Sequence, residues 1–115
     1  MVASLESSVV RIYKQRKNKD DKIEIVGAGF LISSEYLITC AHVVNESLEL
    51  DVKSTKKPTD IDIIECDFPI IASGTSLETT VEVWYPVKFK SNDPQDIAIL
   101  KLKDSVPSQA QPVSL

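Results

Sequence analysis

The feature that most limits the fold is an apolar pattern of period two, cut into short runs by turn residues. Leu48-Glu49-Leu50-Asp51-Val52-Lys53 alternates apolar and polar side chains, which predicts a half-buried strand. Further runs rich in Ile and Val lie at residues 8–13, 22–33, 36–39, 60–66 and 96–103. No stretch carries three turns of helical periodicity, and a single turn after Ala41 is the most the pattern allows. The pattern therefore predicts an all-β chain, a small antiparallel barrel or sandwich.

In the run from Val81 onward, Val81, Val83, Tyr85, Val87 and Phe89 share one predicted face, with Glu82, Trp84, Lys88 and Lys90 on the other. Pro86 removes a ladder donor there, which predicts an edge or a bulge. Loops are expected at residues 14–21, 54–59, 73–78 and 91–95, where Gly, Pro and charged residues gather. The first, KQRKNKDD, reads as a solvated hairpin loop rather than a basic binding patch, because Asp20 and Asp21 interrupt its charge. The boundaries expected are a barrel over residues 1–104 and a proline-bearing linker over 105–115.

At 115 residues the chain suits one domain with a real core. Thirteen Lys and Arg against 17 Asp and Glu leave a net charge of −4, a poor match for nucleic acid. No apolar run approaches the roughly 18–20 residues of a bilayer span, so no membrane partner is expected. The start, MVASLESSVV, lacks the pattern of a secretory signal, which predicts a cytoplasmic setting. Cys40 and Cys66 are too few for a disulfide framework, and no CxxC pair suggests zinc. They are expected as buried or half-buried thiols in a reducing cytosol, with a Cys40–Cys66 bridge left open.

Imidazole chemistry can reside only at His42, the single histidine, in Thr39-Cys40-Ala41-His42-Val43-Val44. Upstream, Gly27-Ala28-Gly29-Phe30 places two glycines in a strand, where backbone or ligand can approach closely. Downstream, Asp96 heads the apolar run Ile97-Ala98-Ile99-Leu100.

Together, GAGFLISSEYLITCAHVV and DIAILKL resemble the trypsin/chymotrypsin-like serine peptidases, in their bacterial form. A looser likeness, in DFP at 67–69, VEVWYP at 81–86 and QPVSL at 111–115, is to such domains at the N-termini of large bacterial multidomain proteins with NTPase or WD-repeat modules. The resemblance implies a Greek-key β-barrel of about six strands, the first of the two barrels of that fold. It also implies that His42 is the general base and acid and that Asp96 orients it. Asp93, in Asn92-Asp93-Pro94, is the rival carboxylate, although its setting reads as a turn.

The family's nucleophile follows the Asp in a glycine-rich turn that forms the oxyanion hole. Here the only glycines are Gly27, Gly29 and Gly74, all before Asp96. Ser105, Ser108 and Ser114 lie in the tail, and Ser73 and Ser76 precede Asp96, so no nucleophile is assigned. Cys40 is unattractive as a substitute, because its place in the run suggests packing. Ile25-Val26-Gly27 looks like an activation terminus but lies too close to His42, and Gly27 belongs to the GxGF strand. Asn45-Glu46-Ser47 matches a glycosylation sequon that a chain without a signal peptide rarely uses.

The expectation is half of a serine endopeptidase, inactive alone and using neither metal nor cofactor. Its partners would be a missing C-terminal barrel and a polypeptide substrate, and the uncovered face would drive self-association. The alternatives are a non-catalytic, peptidase-like binding or scaffolding module and a generic small β-barrel.

Overall fold

The alternating runs resolve into six antiparallel strands that close on themselves. The computed structural model describes residues 5–88 and 95–113. After a 3-10 turn at Leu5–Ser7 come β1 (Val9–Tyr13), β2 (Ile25–Leu31), β3 (Tyr36–Thr39), α1 (Ala41–Ser47), β4 (Ile64–Phe68), β5 (Ala72–Tyr85) and β6 (Ile97–Leu102). Their order around the barrel is β1-β2-β3-β6-β5-β4, so two three-strand meanders are joined at β3–β6 and at β1–β4. This is the predicted all-β Greek-key barrel.

Period two does the building. Val10, Ile12, Leu31, Leu37, Ile64, Phe68 and Leu100 point inward and are fully buried. Each such side chain is worth about 2 kcal/mol, against about 0.5 kcal/mol for an exposed ion pair, so the core rather than the charged surface holds the barrel. Gly29 exists for close approach: a Cβ there would lie 2.5 Å from the Ile38 carbonyl oxygen, inside the β2–β3 ladder. At Gly27 a Cβ would meet Val43 of α1 at 2.6 Å, so that glycine seats the helix on β2.

Four expectations need correction. Residues 48–53 form no strand, because the end of α1 takes the N–H groups of residues 48–50. The N–H of Leu48 donates to Val44 O, and that of Leu50 to Asn45 O. Glu49 turns left-handed at φ 59°, and the Asn45 amide donates to Val52 O and Ser54 O. The helix itself spans seven residues, about two turns rather than one. Its polar Asn45 and Ser47 are buried along with Ala41, Val43 and Val44, which erases the amphipathic signal.

Strand β5 begins at Ala72, inside the segment expected as a loop. Gly74, at φ 81°, bends it, and its N–H donates to the Asp67 carboxylate at 2.8 Å, which ties the bend to β4. A second irregularity between Val81 and Val83 then splits the predicted common face. Val81 pairs with the buried Leu100, whereas Val83 pairs with the half-buried Ile99. Trp84 packs on the core, and its indole N–H donates to Thr55 O. The strand stops at Tyr85, just before Pro86, and Phe89 lies outside the described residues.

The charged 14–21 loop does join β1 to β2, and its cations turn back on the chain. Arg16, only 7% exposed, forms a two-pronged pair with Glu65 and donates to Lys19 O and Asp21 O. The tail carries no strand, yet it lies along the barrel: Gln111 N–H donates to Ser7 O, Val113 N–H to Leu31 O, and Val106 and Ala110 pack on the core. Among the described residues no helix is long and apolar enough to cross a membrane.

Candidate active site

Strand pairing carries Asp96 to His42. Thr39 pairs with Ala98 across β3 and β6, and two residues beyond each come Ala41 and Asp96. Cys40 keeps an extended backbone and α1 starts at Ala41, so His42 stands in the first turn, over the end of β6. Two residues 54 apart in sequence thereby meet.

They meet at two points. The His42 backbone N–H donates to Asp96 Oδ1 at 2.9 Å, and His42 Nδ1 lies 2.5 Å from Asp96 Oδ2. With the carboxylate accepting, Nδ1 carries the proton and Nε2 keeps its lone pair. The side chains are 42% and 31% exposed, a half-open setting that a second body could still cover. One surface depression, of about 340 Å³, is lined by Arg16, Lys19, Glu65 and Glu78 and includes neither residue of the pair. Arg16 and Lys19 there pair with Glu65, and Lys19 also with Glu78.

Cys40 stands beside the pair. Its sulfur, a His42 ring nitrogen and an Asp96 oxygen all lie within 4.8 Å of one another. Burial, and then the Asp96 charge, push its pKa up, which keeps it a thiol and disfavours it as a nucleophile. Both cysteines are free; Cys66 is buried as expected, but Cys40 is exposed rather than packed, because it sits at the turn from β3 into α1.

The remaining candidates lie apart from this pair. Ser73 accepts a hydrogen bond from Arg11, and Ser76 one from Lys19, both on the side of the barrel where β5 meets β4. Ser108 donates to Gln109 within the tail. Asp93 and Ser114 lie outside the described residues. Ile25 opens a paired strand, opposite Tyr13. Asn45 is 1% exposed, which closes the sequon to a glycan.

One polar centre escaped the sequence reading. Asp67 is fully buried and takes Arg11 at 2.9 and 2.6 Å, the Tyr13 hydroxyl at 2.8 Å and the Gly74 N–H at 2.8 Å. Only the Arg11–Asp67 pairing of β1 with β4 brings these groups together, so the DFP string alone could not disclose it. Burial pushes the Asp67 pKa up, but the hydrogen bonds outweigh it and hold the carboxylate below its ordinary range. All its partners are internal, which makes it a strut of the barrel.

A closed six-stranded barrel with a histidine on the first turn of a short helix, locked to a carboxylate at the head of the sixth strand, defines the class. The family described as trypsin-like peptidase domain matches residues 27–115, and the chain belongs to it. Among solved structures it is similar to neuropsin, a serine protease expressed in the limbic system of mouse brain, with a TM-score of 0.51 and 16% identity. That match covers 100% of this chain and 45% of neuropsin, so the chain spans less than half the length of that relative. At this identity the likeness speaks for the fold alone. No curated protein sequence matches the chain.

Proposed function

We propose that the chain is the histidine-bearing half of a serine endopeptidase, with His42 as general base and acid and Asp96 as its positioning carboxylate. The two-point contact between them is the observation that carries this reading. The backbone bond to Oδ1 fixes the carboxylate, and the ring bond to Oδ2 fixes the tautomer and would stabilise the imidazolium. The Nε2 lone pair would then take a serine proton as its oxygen attacks the scissile carbonyl, and return it to the leaving amine. Water would release the acyl group by the same two transfers in reverse roles.

The serine and the oxyanion hole would come from a second barrel. The half-open setting of the pair supports this, because both side chains keep a face that a second body could cover. An outward apolar row supports it further: Phe30 pairs with Ile38, Ile38 with Ile99, and Ile99 with Val83. Beside it Ile97, next in sequence to Asp96, pairs with Tyr85, and both are exposed. Such a row suits a covering partner, and alone it would draw copies of the chain together. A cytosolic setting, suited to two free thiols, and a place at the N-terminus of a bacterial multidomain protein belong to the same proposal.

The test is fluorogenic-peptide turnover and fluorophosphonate labelling of the 115-residue chain, and of a longer chain carrying the residues that follow it in its gene. We expect no turnover and no label in the first, and His42-dependent turnover in the second. Serine-specific turnover by the 115-residue chain, abolished by changing one of its own serines, would refute the half-enzyme reading.

A further inference from the structure

We infer that Cys40, His42 and Asp96 form a site for one divalent cation of the zinc class, which switches the imidazole to the tautomer that cannot act as a base. The inhibitory part rests on the catalytic reading above, whereas the binding part stands on the geometry alone. Thiol sulfur, imidazole nitrogen and carboxylate oxygen lie within 4.8 Å of one another. Tetrahedral zinc holds sulfur at about 2.3 Å and nitrogen or oxygen at about 2.0–2.2 Å, so its ligands stand roughly 3.3–3.7 Å apart. His42 Nδ1 and Asp96 Oδ2, 2.5 Å apart, would part to that spacing as the metal enters between them.

The donor set selects the metal. One soft sulfur with one imidazole and one oxygen suits zinc, while magnesium and calcium want oxygen throughout. The frame is largely pre-formed. Cys40 and His42 flank Ala41 where β3 passes into α1, and Asp96 is anchored by Oδ1 to the His42 N–H. Oδ2 is the oxygen left to exchange a proton for a metal. Cys40 is exposed and His42 half-exposed, so a cation can enter and keep water as its fourth ligand.

The proton balance gives the consequence. The thiol proton leaves to solvent as the Cys40 sulfur binds. Metal at Nδ1 displaces the proton shared with Asp96, and that proton moves to Nε2. The ring stays neutral, but Nε2 is now a donor and can no longer accept a serine proton.

Cobalt(II) titration of the purified, chelator-treated chain tests this, with zinc as competitor and nitrogen-resolved NMR of the imidazole as a second readout. We expect one equivalent of cobalt, a thiolate-to-metal charge-transfer band and tetrahedral ligand-field bands, all displaced by zinc. Zinc should also move the ring proton from Nδ1 to Nε2. Cys40→Ser and Cys40→Ala should each lose the charge-transfer band, and Asp96→Asn should weaken zinc by at least about tenfold, a loss that even an outer-shell partner can bring. Circular dichroism checks that each variant is folded. Absence of the band, its survival in both Cys40 variants, or an unmoved ring proton overturns the proposal. The two readings fail separately: turnover indifferent to His42→Ala removes the catalytic role and leaves the cobalt result standing. A missing band beside His42-dependent turnover removes only the metal site.

Discussion

Asp96 grips His42 twice, once through the backbone N–H and once through the ring. The first contact, at 2.9 Å, sets where the carboxylate sits, and the second, at 2.5 Å, sets which ring nitrogen holds the proton. Position and tautomer are therefore controlled by one side chain.

In the peptidase proposed above, that arrangement makes Asp96→Asn more than the loss of a charge. The amide can donate to Nδ1, which drives the ring proton to Nε2. We expect kcat to fall by about 10⁴, as the same change does in a serine peptidase. His42→Ala should cost on the order of 10⁶. Steady-state kinetics with a peptide substrate reads both.

The two glycine settings should respond differently to a methyl group. Gly29→Ala drives a Cβ to 2.5 Å from a backbone carbonyl of the neighbouring strand, which cannot rotate away. A loss of about 3 kcal/mol is expected. Gly74→Ala meets nothing within 4 Å but must hold φ 81°, at a cost of about 1 kcal/mol. Urea denaturation of the two variants should rank them in that order.

Acid should loosen the barrel through two carboxylates. Glu65 is held below its ordinary range by Arg16 despite partial burial. Asp67 resists its burial because Arg11, the Gly74 N–H and Tyr13 bond to its charged form. In the unfolded chain these groups titrate near about 4. Because the folded values are lower, their contribution is complete above roughly pH 5 and is lost as pH falls through the folded values. The urea midpoint should therefore drop below about pH 4. Asp67→Asn should flatten that dependence and, by stranding Arg11 and Tyr13, cost about 3 kcal/mol.

The two thiols should separate in a reactivity assay. Cys66 is fully buried, and burial, with the charges of Asp67 and Glu65, pushes its pKa up to about 12. Cys40 is exposed with a more modest rise. A disulfide reagent near pH 8 should titrate one thiol in the native protein, more slowly than a free peptide thiol, and two in denaturant. Rapid loss of both without denaturant would contradict the buried place of Cys66.

Much of the barrel was legible because its signals are local. Tyr36–Thr39 is the predicted run itself, and β1, β2 and β6 are predicted runs trimmed at their ends. The failures arose where a distant or competing partner took the backbone. Residues 48–53 alternate as a strand does, yet the end of α1 claims the N–H groups of Leu48, Glu49 and Leu50. The bend at Gly74 looked like a loop because the carboxylate that ties it down is on β4.

By itself the sequence determined the class of fold and the identity of the residues worth watching: alternation demands a sheet, and His42 and Asp96 stand in recognisable strings. Only the tertiary structure decided that these two touch, that Cys40 stands with them, and that Asp67 serves as a strut. The physical reason is register. Composition and period are properties of neighbours along the chain, whereas the pairing of Thr39 with Ala98 and of Arg11 with Asp67 exists only once the barrel has closed.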